Sequence, residues 1–95
     1  MLYQSEVRPR SWRAIAVFDD LEERLLFVGR SRREIQANYS HAFCEILDEE
    51  ERGHVRSIFL QRWQSTSTSG RWFNQAELDR PELDLPPGPG VLPAA

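Results

Sequence analysis

Three arginines and a serine at residues 30–33 are the side chains whose spacing most suggests chemistry. Arg30, Arg32 and Arg33 surround Ser31, directly after an apolar run that ends at Gly29. A helix that starts here offers free backbone N–H groups, and arginine can hold a phosphate or carboxylate through paired hydrogen bonds. The pattern therefore predicts an anion- or partner-binding corner. The alternative is that the arginines stay solvated or pair with the protein's own acids, namely Asp19, Asp20, Glu22, Glu23 or Glu34.

Four more residues are candidates for an interface with a partner. With Ile35 as the origin of a predicted helix, the 100° step places His41 about 120° and Cys44 about 180° from the core-facing side. An outward cysteine is unusual because free cysteine is commonly buried. Trp72 and Phe73 are adjacent and could form an exposed aromatic patch, since aromatic residues dominate interface hot spots. These residues predict a contact surface on the first helix and another near residue 72.

Catalytic and metal-binding patterns are missing from the sequence. It contains no nucleophile elbow, Walker loop or HExxH motif, and His41, Cys44 and His54 do not have the spacing of a four-ligand zinc site. About eighty ordered residues also leave little room for a ligand pocket. We therefore expect no enzyme activity, no cofactor, no metal and no small-molecule substrate.

Residues 16–31 resemble a known family over a short stretch. AVF at 16–18, FVG at 27–29 and Ser31 look like the paired strands of the GIY-YIG nucleases. Val17 and Phe27 replace the tyrosines of that family, and Ala37 stands where its helix arginine would be. The resemblance implies a shared hairpin–helix shape, and metal-dependent phosphodiester cleavage is not assigned.

Composition places the chain among ordinary globular domains. Its 95 residues are 40% hydrophobic and 28% charged, with a net charge of −3. Bulk electrostatics therefore argue mildly against nucleic acid, although a local basic patch is compatible with them. No apolar run approaches the roughly 18 residues of a membrane span, and one cysteine suits a reducing cytosol. We expect a cytoplasmic protein of bacterial type without membrane contact.

Apolar periodicity predicts a small α+β domain. Strands are expected at residues 12–18 and 24–29, joined by the polar loop DDLEE. A first helix begins at Ser31 and buries Ile35, Tyr39, Ala42, Phe43, Ile46 and Leu47. A second helix begins at Asp48, where Glu51 completes a capping box, and buries Val55, Ile58, Phe59 and Trp63.

The C-terminal part of the chain is less regular. Residues 71–78 could add a strand to the hairpin, and residues 81–95 are rich in proline and predict a disordered tail after a compact domain of residues 1–80. The predicted architecture is thus ββαα with an additional C-terminal strand left open. The expected function is that of an accessory or adaptor module acting through protein contacts, as a homo-oligomer or as a subunit of a larger assembly. The alternative is a nucleic-acid-binding module that uses Arg30, Arg32 and Arg33.

Overall fold

A computed structural model describes residues 9–81, which form one antiparallel sheet and two helices. The elements in chain order are β1 (Trp12–Phe18), β2 (Glu23–Gly29), α1 (Arg32–Ile46), α2 (Glu49–Gly53), β3 (Val55–Ser65) and β4 (Gly70–Leu78). The strands lie in the order β2-β1-β3-β4. The predicted α+β class is confirmed, but the order is ββααββ rather than ββαα. The predicted proline-rich tail, apart from Pro81, lies outside the described residues.

The hairpin of β1 and β2 forms where the sequence predicts it. Residues 12–18 pair with residues 23–29, with a bulge between Ala14 and Ile15. The turn closes through a hydrogen bond from the N–H of Leu21 to the carbonyl of Phe18. Leu21 has a φ of 74° and is 65% exposed. This left-handed backbone is costly for leucine, so the turn is held by the strands rather than by residue preference.

Helix α1 packs its apolar stripe against the sheet. Ile35, Ala42 and Phe43 are buried, and Tyr39 is partly buried against the same core. Ile46 was expected in this stripe, but it is 43% exposed. The reason is that the chain leaves the helix at Leu47, whose extended backbone turns its side chain into the core instead.

The predicted second helix is wrong beyond Gly53. Asp48 does cap α2, and its capping box with Glu51 is complete, as predicted. After His54 the chain extends into β3, whose Ile58 and Leu60 pair with Ala16 and Ala14 of β1. Val55, Ile58 and Phe59 fall at spacings that suit a helix, yet β1 needs a second neighbour to satisfy its outer backbone groups. Sheet pairing therefore decides the conformation.

The core lies between α1 and one face of the sheet. Small residues on β1, Ala14 and Ala16, let Ile35 and Phe43 of the helix approach the sheet closely. Gly29 ends β2 without a positive φ. A Cβ there would lie 3.0 Å from Cδ of Glu34 and 3.1 Å from Cδ1 of Ile35, so this glycine provides space for the start of α1.

The ends of the sheet are tied to the helices by hydrogen bonds. The Tyr39 hydroxyl donates to the carbonyl of Asp79, and the Arg80 guanidinium donates to the carbonyl of Val55. These bonds connect the segment after β4 to α1 and to the start of β3. Within the part of the chain that the structure describes, neither helix is both long and apolar enough to cross a membrane.

Candidate interaction surfaces

The predicted corner at residues 30–33 is a helix N-terminus held by its own side chains. The Ser31 hydroxyl accepts the N–H of Glu34 at 3.1 Å, so Ser31 is the N-cap as predicted. The Glu34 carboxylate accepts the N–H of Arg30 at 2.8 Å, one residue before the cap. Arg32 and Arg33 are exposed in the first turn.

Most of the acids considered as internal partners of this corner lie far from it. Asp19, Asp20 and Glu22 belong to the β1–β2 turn and Glu23 begins β2, whereas Arg30 follows the other end of that strand. Seven residues of strand separate the two ends by roughly 20 Å. Among residues 9–81, no ion pair involves Arg32 or Arg33. Of the five acids considered, Glu34 alone lies beside the corner.

Charge is segregated along the strands. The sheet end where β1 begins and β2 finishes carries an arginine end, defined as Arg10, Arg13, Arg30, Arg32, Arg33, Arg62 and Arg71. The opposite end carries an acidic end, defined as Asp19, Asp20, Glu22, Glu23, Asp48, Glu49, Glu50 and Glu51. Four arginines also lie there, namely Arg24, Arg52, Arg56 and Arg80, so acids are in excess at this end but do not exclude positive charge. The dipole of α1 points in the same direction as this charge separation, because its positive N-terminus lies at the arginine end. The overall charge of −3 hides this separation.

Arginines and aromatic rings alternate across the sheet at the arginine end. The guanidinium carbons of Arg32 and Arg62 lie 5.9 Å and 5.1 Å from the ring centre of Trp12. Arg62 pairs in register with Phe73, and the guanidinium carbon of Arg71 lies 5.2 Å from the Phe73 ring. We call this series the arginine row: Arg32, Trp12, Arg62, Phe73 and Arg71. It runs from the start of α1 over three strands, on the side of the sheet that α1 occupies.

The opposite side of the sheet, here called the open face, has no helix or strand of residues 9–81 packed on it. Side chains alternate along strands, so the residues that do not face α1 form this surface. They are Arg13, Ile15, Val17, Glu23, Leu25, Val28, Ser57, Phe59, Gln61, Trp63, Trp72, Asn74 and Glu77. Ile15 at its centre is only 2% exposed, whereas Leu25 is 47% exposed.

A polar network organises one half of the open face. Arg13 Nε donates to Gln61 Oε1 at 2.7 Å, and Gln61 Nε2 donates to Asn74 Oδ1 at 2.8 Å. The Arg13 guanidinium also lies 4.2 Å from the ring centre of Trp72. Desolvation by this surrounding structure lowers the pKa of Arg13 from its ordinary value, while the charge of Glu23 acts in the opposite direction.

The tryptophans of this half form an edge-to-face pair. The rings of Trp63 and Trp72 have centres 5.4 Å apart at an interplanar angle of 69°. Trp63 was expected in a helix core, but it lies on β3 and is 41% exposed. A Cβ at Gly70 would come within 2.6 Å of the Trp63 ring, so this glycine lets the ring lie against β4.

The four predicted interface residues do not share one surface. Trp72 lies on the open face, while its neighbour Phe73 lies on the other side of the sheet and is 38% exposed. His41 is exposed on α1 and lies 3.2 Å from Glu45 between Nε2 and Oε2. Cys44 is half-buried, and its carbonyl accepts a hydrogen bond from Arg52. The predicted aromatic patch is therefore divided between two faces.

The acidic end contains an open recess with a volume of about 330 Å³. Arg24 crosses it, donating to Glu51 at 2.9 Å and lying 5.6 Å from the ring centre of Phe18. His54 and Asp19 approach to 3.7 Å at its rim. No group of three or more His, Cys, Asp or Glu residues within the described part of the chain is arranged to hold a metal ion.

Glu51 couples α2 to the sheet in a pH-dependent way. The pKa of its carboxyl lies below the ordinary value because the Asp48 N–H donates to it, and Arg24 donates to it as well. A lowered pKa in the folded state stabilises the protein above the ordinary value of about 4.5, and this contribution is lost as the pH falls through the lowered pKa. We expect Glu51→Gln to reduce the free energy of unfolding at neutral pH.

The difference between Glu51→Gln and the wild type should shrink steadily as the pH falls below about 4.5. Urea denaturation at a series of pH values measures it. Glu49→Gln is the matched control, since Glu49 occupies the same helical turn and makes no side-chain hydrogen bond to Arg24 or Asp48. A difference that stays constant down to acidic pH would show that ionisation of Glu51 is irrelevant.

Comparisons with protein-family models, with curated proteins and with solved structures give no match to this chain. The likeness of residues 16–31 to the GIY-YIG strands is therefore not supported by a family match. Function has to be argued from the surfaces described above.

Some residues of these surfaces were missed at the level of sequence. Trp12, Arg62 and Arg71 each belong to an Arg–Trp neighbour pair, which indicates by itself only a buried ring next to an exposed charge. The arginine row arises because register places Arg62 opposite Trp12 on one side and Phe73 on the other. These residues could have been grouped from the sequence only if β3 had been predicted as a strand in the right register.

Proposed function

We propose that the protein is a non-catalytic contact module that associates with a second copy of itself through the open face. The observation that carries the proposal is an apolar sheet face with no covering element in residues 9–81. Sheets with both faces apolar are normally covered on both. Leu25 and Trp63 are 47% and 41% exposed on it. Exposed large apolar side chains on one sheet face are typical of interaction sites.

Charge complementarity supports a second copy as the occupant. The open face carries Arg13 at the arginine end, and Glu23 lies opposite Val17 at the acidic end. A two-fold axis that runs across the strands, parallel to the sheet, reverses strand direction between the copies. It brings the arginine end of one copy over the acidic end of the other, twice per dimer. A two-fold axis along the strands would place like charges together.

The other parts of the proposal concern catalysis, role and location. The recess at the acidic end is lined by an ion pair and exposed carboxylates, and we assign no reaction to it. Self-association makes the protein an accessory component acting through protein contacts. We propose a cytoplasmic location, because an unpaired cysteine suits a reducing compartment.

Sedimentation analysis of the full chain over a range of concentrations tests this proposal. We expect the wild type to reach the mass of a dimer and Leu25→Asp to remain a monomer, since a charge would be buried in the interface. Leu21→Asp is the matched control, because Leu21 is equally apolar and 65% exposed but lies in the β1–β2 turn.

The control should associate like the wild type. A wild type that stays monomeric at every concentration would refute self-association. Equal loss of association in both variants would refute the open face as the interface.

A further inference from the structure

We propose that the arginine row is a binding site for single-stranded nucleic acid. The row is distinct from the open face, since it lies on the side of the sheet that α1 occupies. A dimer formed through the open faces leaves both copies of it accessible. The inference therefore does not depend on the proposed self-association.

The order of side chains in the row matches the order of groups along a nucleic acid strand. Guanidinium groups alternate with rings: Arg32, Trp12, Arg62, Phe73 and Arg71. A single strand likewise alternates phosphates with planar bases. Proteins that bind such strands combine a positive track with aromatic side chains on which bases stack. Neighbouring strands are about 4.8 Å apart, so the part of the row on β1, β3 and β4 spans roughly 10 Å.

Four of the five side chains of the row are exposed, and Trp12 is half-buried against the core. Arg32, Arg62 and Arg71 are exposed, and Phe73 is 38% exposed. None of the three arginines forms an ion pair within residues 9–81. Arg32 lies in the first turn of α1, where the dipole disfavours cations, and Arg62 and Arg71 lie on β3 and β4 at the same end of the sheet. A polyanion would offset this unfavourable interaction of Arg32 with the dipole.

Two other ligands fit the row less well. An acidic protein segment would pair with the guanidinium groups but would offer no planar group to stack on the rings of the row. The guanidinium groups that lie over Trp12 and Phe73 would move aside to the phosphates when a base stacks there. Duplex DNA keeps its bases stacked on one another, so those rings could not stack on them. The net charge of −3 is no obstacle, because the acidic end lies about 20 Å away, more than twice the screening length at physiological salt.

Fluorescence anisotropy with a labelled oligothymidine of about twelve nucleotides tests the proposal, since sites of this kind span ~4–16 nucleotides. We expect full-length protein to bind the single strand with an affinity that falls steeply with salt. Phe73→Ala should weaken binding by about 5- to 150-fold, the loss of one stacked base, without changing the salt slope. Arg71→Ala should weaken binding and also reduce the slope of log affinity against log salt by about one.

Arg56→Ala is the matched control, because it removes the same charge from an exposed position on β3 near the acidic end. Its affinity should stay within about twofold of the wild type. Circular dichroism should show that all three variants remain folded. Both Phe73 and Arg71 are exposed, so neither substitution removes a core side chain.

Four results would overturn the proposal. They are no binding at low salt, equal affinity for the matching duplex, tighter binding of a glutamate-rich peptide than of the oligonucleotide, and equal weakening by Arg56→Ala and Arg71→Ala. The last would show attraction by overall charge without a site. A monomeric protein that binds the strand would refute self-association alone, so the two proposals fail separately.

Discussion

Arg13→Glu is expected to weaken self-association by roughly 100-fold, because juxtaposed like charges at an interface cost several kcal/mol. In the proposed dimer, the side chain at position 13 of one copy lies over the acidic end of the other, near Glu23. A glutamate there would face a carboxylate in a region already poor in water. Sedimentation equilibrium measures the change in dissociation constant.

Rescue tests whether positions 13 and 23 act as a charge pair. The charge of Glu23 also acts on Arg13 within one copy, so the free energy of unfolding of each variant is measured beside its dissociation constant. Arg13 also donates to Gln61 and lies over Trp72, so its loss disturbs the open face of a single copy. The double variant Arg13→Glu with Glu23→Arg restores opposite charges between copies, and we expect it to recover most of the affinity. Arg56→Glu, which makes the same change in charge on β3 near the acidic end, should have little effect. Failure of the double variant to recover would contradict the reversed strand orientation.

Leu60→Ala is expected to lower the free energy of unfolding by about 3–5 kcal/mol, near the upper end for buried leucine. Leu60 is 0% exposed, and its register partners on both neighbouring strands, Ala14 and Ala76, are small. These two alanines are too small to fill the space, so a cavity would remain. A domain of this size has a total stability of roughly 5–10 kcal/mol, so much of it would be lost.

Chemical denaturation measures the effect of Leu60→Ala. Leu60→Met is the matched control, because it keeps the side-chain volume and should cost less than about 1.5 kcal/mol. A loss below about 1 kcal/mol for the alanine variant would show that Leu60 is not packed between the sheet and α1.

Local signals in the sequence located the first half of the fold. The hairpin and the start of α1 were predictable because strand propensity, a polar loop and the Ser31 cap all act within a few residues. The capping box at Asp48 was predictable for the same reason. Gly53 is unfavourable in a helix interior, and α2 ends there, so the predicted continuation of this helix to Trp63 was wrong.

The second half depends on pairing between distant residues. Residues 55–63 have apolar side chains on both faces of a strand, and this erases the alternation that identifies a half-buried strand. Their spacing then imitates a helical stripe. The arginine corner was predicted from sequence, but its extension to Arg62 and Arg71 required β3 and β4 in register. The open face could not be predicted for the same reason, since it forms only when the four strands are aligned in the sheet.

The most direct test of the dimer is the detection of contacts between copies. In a mixture of isotope-labelled and unlabelled protein, intermolecular nuclear Overhauser effects report protons close together across the interface. For the proposed dimer we expect such effects between the methyl groups of Val28, near the arginine end, and those of Val17, near the acidic end. Intermolecular effects confined to residues on α1, or joining Val28 only to Val28 of the other copy, would contradict it.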